Sequence, residues 1–172
     1  MAEKLANFTT LKVGGPAEIV HAKSEKEIVD ALIAAGDKAV LILGGGSNLL
    51  VGDDPFNGVV IKIESTGNTY EIDACSGGLL TVAAGEDWDE FVAWIIGKGF
   101  AGVETLSGIP GTVGASPIQN IGAYGHEVAE VISRVRTWDR KAGELKTLSN
   151  TECEFAYRSR SEEHTSELQS RG

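Results

Sequence analysis

Two glycine-rich stretches hold the residues best suited to chemistry. The first, Gly44-Gly45-Gly46-Ser47-Asn48, directly follows the wholly apolar run at 39–43. Three consecutive glycines let successive backbone N–H groups point into one concavity, a nest for an anion such as a pyrophosphate. The second, 108–125, reads GIPGTVGASPIQNIGAYG, with glycine at 108, 111, 114, 122 and 125, proline at 110 and 117, and almost no charge. Ile109, Val113, Ile118, Ile121 and Tyr124 want burial, so this run is no solvated linker. It is expected to be an ordered loop whose backbone comes close to something, with glycine where a Cβ would collide or φ must be positive. Ser116, Gln119 and Asn120 add donors and acceptors that suit a buried ligand with many polar atoms. A glycine-rich packing loop without a ligand is the competing reading of the composition.

Other chemistries find little support. A Walker loop needs a GK[ST] ending, which is absent, and the dinucleotide fingerprint needs a glycine where Leu49 stands and a helix after it. Cys75 and Cys153 lie far apart without metal-ligand spacing, so free thiols in a reducing cytoplasm are expected and no metal is. His21 and His126 show no partner in the sequence, and His164 lies in a polar tail. A net charge of −10 with no Lys/Arg cluster argues against nucleic acid. No apolar run approaches the roughly 20 residues of a membrane span, and the N-terminus has no signal-like apolar core.

The elements that must position the two loops are legible in part. A short extended segment at 7–16 ends in Gly14-Gly15-Pro16, and 18–22 is a predicted strand. Ser24 with Glu27 forms a capping box for a helix whose Ile28, Ala31, Leu32 and Ala35 share one face, closed by Gly36. The run 39–43 suits a buried parallel strand, giving a right-handed βαβ unit. The first glycine loop and another strand at 59–63 follow. Beyond it, strands are predicted at 69–73 and 79–84 around a Ser76-Gly77-Gly78 turn. Asp87 caps a helix with Trp88, Phe91, Val92, Ile95 and Ile96 at core spacing, ended by Gly97 and Gly99. After the second loop come a short helix or turn at 126–131 and a hairpin of 134–139 with 145–148. A second capping box, Ser149 with Glu152, opens the final segment.

Taken together, GGGSN after an apolar strand, then SGIPGTVGASPIQNIGAYG, then CEFAYR at 153–158 resemble the UDP-N-acetylmuramate dehydrogenase family, flavoenzymes also called UDP-N-acetylenolpyruvoylglucosamine reductases. The resemblance runs from about Phe8 to Ser159. It implies an α+β architecture, the FAD-binding fold shared with vanillyl-alcohol-oxidase-like flavoproteins. An α/β subdomain at 1–66 and an α+β subdomain at 67–159 would hold FAD between them. It also implies a reaction: NADPH reduces non-covalently bound FAD, and hydride then passes to the enolpyruvyl group of a nucleotide-sugar, UDP-N-acetylglucosamine enolpyruvate, in peptidoglycan synthesis. Under the same resemblance Gly44, Gly45, Gly46, Ser47 and Asn48 hold the pyrophosphate. Ile109, Pro110, Gly111, Gly114, Ala115, Ser116, Gln119, Asn120 and Gly122 line the flavin, and Tyr124 and Tyr157 lie near flavin or substrate. Arg158 is the catalytic guanidinium that steadies charge developing on the carboxylate side of the acceptor. A monomer in the cytoplasm completes the expectation.

The chain leaves the family pattern after Arg158. Residues 160–172 are polar without apolar period and match an in-frame translation of a common sequencing adapter over RSEEHTSELQS. They are expected to be non-native and disordered. The chain is then expected to lack the family's substrate-binding domain, its serine proton donor and its distal glutamate, and to be inactive alone. The alternatives are a non-catalytic FAD- or nucleotide-binding module, which would keep both glycine loops but need not keep Tyr157-Arg158, and another flavin oxidoreductase of the same superfamily. Neither glycine loop contains the His or Cys that covalent attachment of FAD uses.

Overall fold

The computed structural model describes residues 2–73 and 77–156. Cys75, Ser76, Tyr157, Arg158 and the 160–172 tail, all subjects of the expectations above, lie outside them. The described residues form two units. One takes the chain up to Glu64 together with Thr137–Lys146, and the other takes Ser65–Arg136 together with 147–156.

The first unit is a four-stranded sheet. Strands β2 (Pro16–Ala22) and β3 (Ala39–Leu43) flank β4 (Gly58–Ile63), which runs parallel to both. Val59, Val60, Ile61 and Ile63 of β4 are all buried, the near-continuous apolar run that a central strand covered on both faces requires. Helix α1 (Glu25–Ala35) covers one face with Ala31, Leu32 and Ala35. Val60, Leu41 and Leu43 join Leu5 and Ala17 in a core on the other. Ser24 caps α1 as expected, accepting the Glu27 N–H at 3.2 Å, but the Glu27 carboxylate accepts from the Lys23 N–H at 2.8 Å, one residue earlier than in a standard box. Gly36, with φ +53°, ends the helix. A strand the sequence did not announce, β1 (Ala2–Lys4), pairs antiparallel with β2.

The second unit pairs β5 (Asn68–Asp73) with β6 (Gly77–Val82) and sets helix α2 (Trp88–Gly97) beside them. Asp87 caps α2 through the N–H groups of Asp89 and Glu90. Trp88, Val92 and Ile95 enter a core with Val103, Leu106 and Val128, while Ile96, expected in that core, is 45% exposed. The ten-residue helix presents only a narrow buried stripe, and Ile96 lies just outside it. Short strands β7 (Gly122–Ala123) and β8 (His126–Glu127) form a tight hairpin, and β9 (Arg134–Asp139) pairs with β10 (Glu144–Ser149), a pair whose Thr137–Lys146 part belongs to the first unit. The second capping box forms, with Ser149 and Glu152 exchanging bonds of 2.8 and 3.3 Å. Among the described residues no helix is long and apolar enough to cross a membrane, and no group of His, Cys, Asp and Glu is arranged to hold a metal.

Candidate functional site

The first glycine loop leaves β3 at Leu43 and is braced from behind by the N-terminal segment. The Thr10 N–H donates to the Gly46 carbonyl at 3.1 Å, and a Cβ on Gly46 would come within 2.0 Å of the Phe8 carbonyl oxygen. Gly15 lies as tightly against Asp53 and Asp54, whose carbonyl oxygens would meet a Cβ at 2.3 Å. With a Cβ on Gly14 also meeting that of Leu5 at 2.7 Å, these contacts explain why the segment at 7–16 closes with two glycines. They also refine the reading of Gly46, since its close approach is to the protein's own backbone. Of Gly44, Gly45 and Gly46, only Gly46 takes positive φ, +67°. A change of backbone handedness between neighbours is what turns successive N–H groups to the same side. Among the described residues no group accepts from the N–H of Gly45 or of Gly46. Two adjacent donors beyond the C-terminal end of a parallel strand therefore remain for an anion, and Gly45 is exposed.

Lys62 bonds to this loop, a contact that no local pattern in the sequence announces. It is the single charge in β4 and donates from Nζ to the Gly44 carbonyl at 2.7 Å. Burial holds its pKa below the usual lysine value, and the Glu64 carboxylate partly offsets that. Its register neighbour on β2 is His21. His21, for which the sequence showed no partner, lies between Glu64 at 2.9 Å and Glu3 at 3.1 Å, and both carboxylates raise its pKa. Residues 18 and 43 positions away along the chain supply those partners, so only the strand pairing could reveal them.

The second glycine loop is stitched to the segment before α2. The Trp88 N–H donates to the Gly111 carbonyl at 3.1 Å, Val113 N–H to Glu86 at 2.9 Å and Gly114 N–H to Ala84 at 2.8 Å. A Cβ on Gly114 would fall 2.5 Å from that of Ala84, so this glycine too is demanded by packing. Asp89 fixes the loop's start, its Oδ1 accepting from the Ser107 hydroxyl and the Gly108 N–H, both at 2.7 Å, and these donors lower its pKa. Ile109, Val113 and Ile121 pack on the core of this unit as the composition demanded. The N–H groups of residues 113 to 116 all donate within the protein. Such a loop has few amides left for a phosphate but retains partly exposed backbone and side-chain edges, with Ile109 and Gly111 partly buried and Pro110 and Gln119 exposed.

Three residues of this loop differ from expectation. Tyr124, expected to be buried, is 90% exposed and takes φ +54° in the two-residue turn it forms with Gly125, whose φ is +85°. Positive φ at both central positions is the requirement of the tightest hairpin turn, and tyrosine is costly there. Asn120, expected to offer its amide to a ligand, is 1% exposed and has its side chain engaged within the protein. Nδ2 donates to Glu127 Oε2 at 2.6 Å and to the Ala156 carbonyl at 3.2 Å, while Oδ1 accepts from the Ala129 N–H at 3.1 Å. Ala156 immediately precedes Tyr157 and Arg158 in the chain. Ser116 is buried as well and donates from Oγ to the Val113 carbonyl at 2.8 Å.

An FAD binding domain family model matches residues 16–149 of the chain. The chain is 50% identical over 159 residues to the UDP-N-acetylenolpyruvoylglucosamine reductase of Cutibacterium acnes, covering 90% of this chain and 42% of that protein. It is 48% identical over 160 residues to the protein of the same description from Nocardia farcinica, covering 91% and 40%. The crystal structure of UDP-N-acetylenolpyruvylglucosamine reductase from Thermus caldophilus superposes with a TM-score of 0.75 at 28% identity, over 93% of this chain and 56% of that one. The chain thus spans about two-fifths of the length of these curated relatives.

Proposed function

The chain belongs to the FAD binding domain family, and from that premise we propose that it is the flavin-holding part of a UDP-N-acetylenolpyruvoylglucosamine reductase. The observation that carries the reading is the pair of unaccepted N–H groups at Gly45 and Gly46 after β3. Adjacent amides, one flexible glycine reversal and a nearby lysine fit a pyrophosphate. Ser47 and Asn48 extend the same edge.

The two loops differ in what they can offer, and the proposal divides the cofactor accordingly. Residues 44–48 take the pyrophosphate. Ile109, Pro110, Gly111, Gly114, Ala115, Gln119 and Gly122 line the flavin ring, whose flat apolar faces need contact and a few edge bonds more than a cradle of amides, while Ser116 and Asn120, whose side chains bond within the protein, hold the loop in shape. When bound, FAD supplies the redox chemistry, accepting hydride from NADPH and delivering it to the enolpyruvyl group of UDP-N-acetylglucosamine enolpyruvate to give UDP-N-acetylmuramate. The protein positions and stabilises. Arg158 holds the substrate carboxylate, where a fixed guanidinium matches the charge that grows as hydride adds. Tyr124 and Tyr157 are assigned to the substrate side. Binding is non-covalent and the chain acts as a monomer in the cytoplasm.

Purified chain mixed with FAD is expected to quench flavin fluorescence and carry yellow flavin absorbance through gel filtration. Protein that stays colourless after reconstitution would reject the assignment.

A further inference from the structure

Lys62 is out of place by composition. It interrupts the apolar run of β4, the central strand, and lies on the face that holds Val60, between His21 of β2 and Leu43 of β3 in register. A lysine in such a position loses hydration, which the lowered pKa reflects. An apolar residue would serve the core better, so the ammonium must do something else. Its one bond among the described residues is to the Gly44 carbonyl, at 2.7 Å.

That bond determines where the next amide points. The peptide between Gly44 and Gly45 is planar and trans, so its C=O and N–H face opposite ways. Drawing the Gly44 oxygen toward Lys62 turns the Gly45 N–H away from the sheet, to the exposed side of the loop. Glycine has no Cβ to hold this peptide in place, and without a tether the unit between two glycines would rotate among several orientations. From the Lys62–Gly44 contact we propose that Lys62 is a positioning residue, which orients the Gly45 amide for a pyrophosphate and puts a fixed positive charge behind it. The inference rests on the flavin reading above, because it assigns Lys62 to the loop that reading gives the pyrophosphate.

The chain and its Lys62→Met and Lys62→Arg variants are compared in three measurements: thermal unfolding, affinity for FAD and for riboflavin by flavin fluorescence, and hydrogen exchange of the Gly45 amide without ligand. Lys62→Met is expected to weaken FAD about tenfold or more, the scale of one charge-assisted contact, and riboflavin by less than about twofold, since riboflavin has no phosphate. Its unfolding midpoint is expected to stay within about 2 °C, because removing a desolvated charge offsets the lost bond. Lys62→Arg is expected to restore FAD affinity to within about threefold, since the guanidinium keeps charge and donor. Gly45 exchange is expected to change in Lys62→Met alone. FAD affinity unchanged in Lys62→Met, or equal losses for FAD and riboflavin, would overturn the proposal. So would a Lys62→Arg variant as weak as Lys62→Met. If the unaltered chain binds no FAD, it is the flavin reading that fails, and Gly45 exchange still decides the tether: identical rates in all three proteins would refute it.

Discussion

Gly46 and Phe8 stand 38 residues apart in the chain, yet the Gly46 α-carbon is so close to the Phe8 carbonyl that a methyl group would lie 2.0 Å from its oxygen. Gly46 also holds φ at +67°. Crowding and conformation both exclude a side chain, so Gly46→Ala is expected to cost about 2–4 kcal/mol. Urea unfolding monitored by tryptophan fluorescence would read the loss. A midpoint matching the unaltered chain would mean that the N-terminal segment does not brace the loop.

Asn120 tests the second loop in the same way. It is buried and donates to Glu127 and Ala156, so Asn120→Ala should destabilise by about 2–4 kcal/mol through the acceptors and donor it strands. Asn120→Asp is the sharper variant. Ionised, it would set a second carboxylate against Glu127, so its own pKa would be raised in the folded state. Stability should then be lost as pH rises from about 4 toward 7 and recovered on acidification. A variant with a flat profile over that range would contradict the assigned bonding.

His21 makes a prediction of opposite origin and the same sign. Its folded pKa is raised by Glu64 first and Glu3 second. The contribution to stability is complete below the unfolded value of about 6.5 and disappears as pH rises through the folded pKa. With side chains 32–40% exposed, the effect should not exceed about 1 kcal/mol. Unfolding free energies between pH 5.5 and 8.5 should show this fall in the unaltered chain and not in His21→Gln. Equal slopes would remove the imidazole from the account.

How far the sequence revealed this arrangement depends on range. Ser24 with Glu27, Asp87 and Ser149 with Glu152 are local hydrogen-bonding signatures, and all three cap, although the Glu27 carboxylate accepts from Lys23 rather than from Ser24. Both reasons for glycine that the composition offers occur in the two loops, positive φ at Gly108, Gly111 and Gly125 and close approach at Gly114, Gly122 and Gly46, but the packing partner in each case was not legible. At Gly114 it is Ala84 and at Gly46 it is Phe8, both set by tertiary packing that no local pattern encodes. Tyr124 was placed inside by its size and is outside because the hairpin turn claims its backbone. Lys62 was passed over within a strand correctly assigned, since its role comes from the strand order β2–β4–β3 that places it under the loop.

Asp89 offers a local test of how the second glycine loop begins. Its carboxylate accepts from Ser107 and Gly108, and those bonds lower its pKa. The support is present above the unfolded carboxylate value of about 3.9 and is lost as pH falls through the lower folded one. Asp89→Ala should speed Gly108 amide exchange about threefold or more at neutral pH while leaving the α2 core amides protected. Unchanged exchange at Gly108 would show the loop to be held elsewhere.

Whether residues 44–48 receive the pyrophosphate is read from amide resonances. In the isotope-labelled chain, the Gly45 and Gly46 N–H signals are followed during titration with FAD and, separately, with riboflavin. With the pyrophosphate at residues 44–48, both signals shift with FAD and stay in place with riboflavin. Signals that ignore saturating FAD, or that move equally with either compound, would contradict that placement.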